Sequence, residues 1–68
     1  MTKLQQVKNF RIFHWDTFDN ETLLVSETDT LSEAQVIIKE KYKISDSGAD
    51  QVDIVDRHGN IVEKFKIC

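Results

Sequence analysis

The side chains of this chain that could carry chemistry are two histidines, one cysteine and several carboxylates. His14 and His58 can titrate near neutral pH, but neither has the accompanying ligands that a metal site needs. Alternation along a predicted strand places His14 at the rim of the core, and His58 falls in a predicted exposed turn. Cys68 has no histidine or basic residue beside it that would favour a reactive thiolate. These residues therefore predict neither a metal centre nor a catalytic thiol.

The acidic residues are concentrated in short groups along the chain: Asp16, Asp19 and Glu21; Asp46 and Asp50; Asp53 and Asp56. A cation site requires several oxygens that converge at a fixed spacing, and none of these groups has the spacing of a calcium loop. Paired carboxylates act as acid and base only inside a pocket that perturbs them, and a domain of this length has little room for one. Because no nucleophile–base or acid–base pair can be named, we expect a protein that is not an enzyme and holds no cofactor.

The stretch from Thr30 to Tyr42 predicts a helix, and the predicted strands lie on either side of it in the sequence. Thr30 and Glu33 have the spacing of a capping box at its start, and lysines crowd its predicted end near Tyr42. At helical spacing, apolar residues form one stripe, with Ile37 at its edge: Leu31, Ala34, Ile38 and Tyr42. A helix with a single apolar stripe has to bury it against other elements.

Four segments with β-branched and aromatic residues predict strands, over 7–15, 22–27, 51–56 and 60–67. Asp19 and Asn20 mark the turn of a first hairpin. Asp56 and Gly59 hold the first and fourth positions of a type I turn in a second one, which requires Gly59 in a left-handed conformation. The sequence therefore predicts an α+β domain of two hairpins flanking one helix (ββαββ), with the helix on one face of a four-stranded sheet.

Two strand orders are compatible with this ββαββ pattern. The grasp-like order 2-1-4-3 places the first and fourth strands side by side, whereas the order 2-1-3-4 is antiparallel throughout. We favour the order 2-1-4-3, because the first and fourth strands are the longest and most aromatic.

The length of 68 residues predicts one domain, over 1–68, with residues 1–6 as a frayed lead-in. So short a chain retains only about 3–5 kcal/mol of stability without a disulfide, a metal or a partner. Since the single cysteine cannot close an internal disulfide, dimerisation is the stabilising device that remains. No apolar run is long enough to span a membrane and the N-terminus lacks a signal-peptide core, so we expect a cytoplasmic protein with no membrane partner.

Alternation sends a group of apolar and basic side chains to the sheet face away from the helix, if Phe10, Ile12 and Ile61 are among the residues packed on it. These outward residues are the candidate binding site: Arg11, Phe13, Trp15, Leu24, Val62, Lys64 and Lys66. Val55 is expected to join them. A one-residue slip of register would exchange the two faces. An exposed apolar patch of this kind is typical of an interface.

We therefore expect a small protein-interaction module that binds itself or a protein partner through this face. Compact acidic domains without a catalytic motif also fit phage or mobile-element accessory proteins that block a host factor. The alternative is a single-stranded nucleic-acid binder, in which aromatic rings stack on bases and cations contact phosphates. The net charge of −3 and the lack of a glycine–aromatic RNA-binding run argue against that alternative. Nothing in the sequence indicates a small-molecule ligand.

Overall fold

The computed structural model describes residues 8–67, and over this range the chain is an α+β domain with one helix and one four-stranded antiparallel sheet. The elements follow one another as β1 (Phe10–Asp16), β2 (Glu21–Thr28), α1 (Leu31–Lys41), β3 (Asp50–Asp56) and β4 (Ile61–Ile67). The predicted lead-in over 1–6, the first residue of the first predicted strand and Cys68 lie outside the described residues.

The predicted capping box begins α1. The Thr30 hydroxyl accepts a hydrogen bond from the Glu33 N–H at 3.2 Å, and the Glu33 carboxylate accepts one from the Thr30 N–H at 3.3 Å. These bonds satisfy backbone groups that the first turn leaves free. Lys39 and Lys41 lie in the last turn, where the helix dipole favours positive charge. The helix prediction is thus confirmed.

The strand order is β2-β1-β3-β4, so the preferred order 2-1-4-3 is wrong. Strand β3 is central because Val52, Asp53 and Ile54 are all buried, and only a strand between two others is covered in this way. Strand β4 carries the exposed Lys64 and Lys66, and lysines are typical of an edge. Burial and edge charge, rather than strand length or aromatic content, therefore decide the order.

Two β-bulges change which side chains share a face. In β2, Ser26 lies opposite Ile12 and Leu24 opposite Phe13, so that Val25 is the extra residue. In β4, Glu63 lies opposite Ile54 and Ile61 opposite Val55, which leaves Val62 as the extra residue. Each bulge reverses the alternation that a regular strand would keep.

The bulge in β4 corrects one part of the predicted core. Ile61 was expected to pack on the helix, but it is half exposed and lies opposite Val55 on the other face. The buried core consists of residues from α1 and from the helix side of the sheet: Ile12, Ala34, Ile38, Val52, Ile54 and Ile67. Helix residue Gln35 also donates a hydrogen bond to Glu63 of β4 at 2.7 Å, which ties α1 across the sheet.

The second hairpin has the predicted turn. The Gly59 N–H donates to the Asp56 carbonyl at 3.0 Å, and Gly59 has a φ of +89°, a conformation that favours glycine. In the first hairpin, the Asp16 carboxylate accepts bonds from the backbone N–H groups of Phe18 and Asp19, and Asn20 has a φ of +56°. Both turns therefore begin with an aspartate that binds the following backbone. No helix within residues 8–67 is long and apolar enough to cross a membrane.

Candidate interaction surface

The sheet face away from α1, here called the open face, is a grid of three rows, because residues directly opposite on neighbouring strands share a face. In the strand order β2, β1, β3, β4 the rows are Glu27, Arg11, Val55 and Ile61; then Leu24, Phe13, Asp53 and Lys64; then Thr22, Trp15, Gln51 and Lys66. The rows bring together residues that are up to about fifty positions apart in the chain.

The apolar part of the open face runs along β1 and β2. Trp15 has 45% of its surface exposed and Leu24 has 54% exposed, with Phe13 half buried between them. Across the sheet, Ile61 adds a second exposed aliphatic side chain beside Val55. Large apolar groups that lie close together and remain in contact with water are typical of an interface.

The charged residues of the grid comprise three basic and two acidic side chains, although the chain as a whole has a formal charge of −3. Arg11 Nε lies 3.4 Å from a Glu27 carboxylate oxygen, and both side chains are exposed. Such surface pairs contribute little to stability. Lys64 and Lys66 form a basic margin along β4. The open face is therefore more basic than the rest of the chain.

Asp53 is the unusual member of this face. It lies between Phe13 and Lys64 in the middle row, yet only 3% of its surface is exposed. The Gln51 side-chain amide donates a hydrogen bond to Asp53 Oδ1 at 2.6 Å. A buried carboxylate requires such partners, since an isolated buried charge is costly. Asp53 therefore places a polar carboxyl group at the centre of the open face.

The structure places six of the seven candidate residues on this grid: Arg11, Phe13, Trp15, Leu24, Lys64 and Lys66. The seventh, Val62, is the extra residue of the β4 bulge and is 41% exposed. The expected neighbour Val55 is also on the grid. The sequence prediction missed the other five residues of the grid: Thr22, Glu27, Ile61, Gln51 and Asp53. The bulge conceals Ile61, but alternation from Val52 and Ile54 already indicated that Gln51 and Asp53 face away from the core.

A second constellation, which the sequence did not predict, joins β1, α1 and β3 at the opposite side of the sheet. His14 Nε2 lies 3.1 Å from Asp50 Oδ2, and His14 Nδ1 lies 3.2 Å from the Tyr42 hydroxyl. The Thr17 hydroxyl donates to Asp50 Oδ1 at 2.9 Å. Because a carboxylate only accepts, His14 Nε2 donates the hydrogen bond to Asp50.

The electrostatics of this constellation favour the ionised aspartate. The hydrogen bond from His14 lowers the pKa of Asp50, and the bonds from Thr17 lower it further. Burial raises the pKa of the Tyr42 hydroxyl, which keeps it protonated. A hydroxyl, an imidazole and a carboxylate in series can activate a nucleophile. Here the hydroxyl belongs to the residue that ends α1, so the series holds the helix end against the sheet.

A groove lies apart from the His14 constellation, at the point where β2 leads into α1. It has a volume of about 450 Å³ and is lined by Lys8, the end of β2 and the first turns of α1, with Val36 and Ile37 as its apolar wall. The His14 constellation does not line it. The groove therefore offers no substrate site to the hydroxyl, imidazole and carboxylate groups.

Comparison of the chain with protein-family models, with curated protein sequences and with solved protein structures finds no match in any of the three.

Proposed function

We propose that this protein is a non-enzymatic interaction module that binds a protein through the open face of its sheet. The observation that supports the proposal is the juxtaposition of Phe13, Trp15 and Leu24 on a face that α1 leaves uncovered. A tryptophan buries a large area at a low cost in side-chain entropy, which is why it is enriched at the centres of interfaces. Trp15 is the central contact in this proposal.

The charges of the open face indicate what surface a partner would present. The partner's surface would be apolar at its centre, opposite Trp15 and Phe13, and acidic at its margin, opposite Lys64 and Lys66 of β4. Charges at such a margin steer the encounter and select among partners more than they add affinity. A second copy of this chain carries the acidic balance that this margin requires, and so does any partner of similar charge.

Single-stranded nucleic acid is the second candidate, favoured by one observation. Trp15 and Lys66 lie in the same row, so a base stacked on the indole would have a cation within reach of its phosphate. Against this, Asp53 and Glu27 add acidic groups to the grid and Arg11 already contacts Glu27. Phosphate binding depends on uncompensated cations. A protein ligand therefore fits the face better.

Site-specific photocrosslinking tests the proposal. A photoreactive phenylalanine analogue replaces Phe13 in one variant and Phe18 in the other, and each variant is expressed in cells that naturally contain the chain. Phe18 is the matched control, because it is an aromatic residue that is 94% exposed but lies in the first turn, away from the grid. The proposal predicts a discrete protein adduct from position 13 and none from position 18.

Two results would contradict the proposal. The first is an equal adduct pattern from both positions, because that would indicate collisions without a defined surface. The second is a set of NMR amide shifts on the open face that arises only with a pool of single-stranded oligonucleotides and fades with added salt. That result would favour the nucleic-acid candidate. Shifts at Phe13, Trp15 and Leu24 that depend on protein concentration alone would indicate self-association.

A further inference from the structure

The two edges of the sheet differ in how they are protected. On β4, Lys64 and Lys66 and the bulge at Val62 all discourage pairing with another strand. A short segment also covers one end of β4, because Ile44 bridges to Ile67 and the Ser45 N–H donates to the Lys66 carbonyl at 2.9 Å. The edge at β4 is therefore partly closed within the described chain.

Within residues 8–67, the β2 edge has much less protection. Its eight residues, ETLLVSET, contain no lysine, arginine or proline. Leu23 and Leu24 are 47% and 54% exposed, and they lie on opposite faces of the strand. An exposed edge strand with leucines on both faces is a template for pairing with another strand. The strand also contains the bulge at Val25.

That bulge makes β2 complementary to itself. Consider two copies of β2 paired antiparallel about a two-fold axis at Leu24. Val25 and Ser26 together count as one step along the strand, as they do against β1. Thr22 then lies opposite the partner's Glu27, and Glu21 lies opposite the partner's Thr28. In a regular strand the same axis would oppose Glu21 to the partner's Glu27, which is unfavourable.

The same pairing buries both exposed leucines. On the open face, Leu24 meets the partner's Leu24, and each continues a row that already holds Phe13. On the helix side, Leu23 lies opposite the partner's Ser26. The two-fold axis repeats this contact, so it occurs twice in each dimer.

We infer that the chain forms a two-fold dimer through the β2 edge, joining two sheets into one of eight strands with both helices on the same side. The dimer uses the edge of the sheet, so it covers Leu24 but leaves Phe13 and Trp15 of the open face free for a further partner. The two open faces become one continuous surface, in which the apolar rows of both copies meet at Leu24.

Sedimentation equilibrium of the full chain, with Cys68→Ser in every variant, tests the inference. The expected mass rises with concentration from 7.9 kDa to twice that value. Thr22→Glu places like charges opposite Glu27 twice in each dimer, and should raise the dissociation constant about tenfold or more. Thr22→Lys creates two opposite-charge pairs at the same positions and should lower it. Lys66→Glu, on the other edge, should leave it unchanged.

Disulfide formation between cysteines introduced into β2 tests the position of the proposed two-fold axis at Leu24. The Cα atoms of opposed residues in an antiparallel pair are about 4.5–5.5 Å apart, within the range that a disulfide spans. Leu24→Cys should therefore oxidise rapidly to a covalent dimer, and Val62→Cys on the other edge should not. A chain that stays monomeric at all concentrations overturns the inference. So does a dimer that responds equally to Thr22→Glu and Thr22→Lys, or one that Leu24→Cys fails to trap.

Discussion

Replacement of Ile38 by alanine should lower the free energy of unfolding by about 3–4 kcal/mol. Ile38 is fully buried at the centre of the α1 stripe, against the core residues of the sheet. The change removes three carbon groups, and roughly 0.8 kcal/mol for each gives a transfer contribution of roughly 2.4 kcal/mol. The unfilled space adds to this value, while the better helix propensity of alanine offsets a few tenths of a kcal/mol.

Urea denaturation followed by circular dichroism measures the change, and Val36→Ala is the matched control. Val36 is also β-branched and lies on the same helix, but it is 51% exposed. Its replacement should leave the stability within about 0.5 kcal/mol of the original, as is usual for surface positions. The two substitutions therefore share the change in helix propensity and differ in burial.

The loss at Ile38 is close to the whole stability expected of a domain this small, so the alanine variant is expected to be largely unfolded. Ile38→Val keeps the measurement quantitative, because its expected cost is about 0.5–1.5 kcal/mol. An Ile38→Ala variant with an unchanged unfolding midpoint would refute the packing described for α1. So would equal losses for Ile38→Ala and Val36→Ala.

Two further substitutions test a turn and a constellation. Gly59→Val should lower the free energy of unfolding by more than about 1 kcal/mol, because the positive φ of Gly59 disfavours any side chain, even though no atom lies within 4 Å of the added Cβ. Equal urea midpoints for Gly59→Val and Gly59→Asn would contradict this expectation, since asparagine tolerates the conformation better. The hydrogen bonds from His14 and Thr17 lower the pKa of Asp50, so its stabilising contribution is present above the ordinary aspartate pKa and is lost as pH falls through the lowered value. Asp50→Asn should therefore make the free energy of unfolding fall less steeply as the pH is lowered. The remaining fall would include the contribution of Asp56, whose pKa is lowered by the backbone hydrogen bond from Asn60. An unchanged dependence of stability on pH would show that the constellation does not stabilise the fold.

Local signals in the sequence were sufficient for the separate elements. The capping box at Thr30, the apolar stripe through Ile38 and the turn at Gly59 each depend on residues a few positions apart, and all three are present. The strand order depends on pairing between distant segments, which local propensity does not determine. The lysines of β4 favour an edge position, whereas the length of a strand says nothing about its neighbours.

The remaining errors follow from that order and from the bulges. Asp50 and His14 come together because β1 pairs with β3, and the order 2-1-4-3 would have kept those strands apart. Ile61 changes face because Val62 is an extra residue, and nothing in the alternation of β4 reveals it. Since β1 contains no bulge against β3, the positions of Phe13 and Trp15 were predictable.

Binding of a protein by the open face through Trp15 can be measured as the dissociation constant of Trp15→Ala for the partner identified by crosslinking, beside the unfolding free energy of the same variant. We expect a loss of affinity of about 2 kcal/mol or more, roughly thirtyfold, with the fold retained, because Trp15 lies outside the buried core. Phe18→Ala, the exposed aromatic of the first turn, should change neither quantity. An unchanged dissociation constant for Trp15→Ala would contradict the claim, and global unfolding of that variant would show instead that Trp15 belongs to the core.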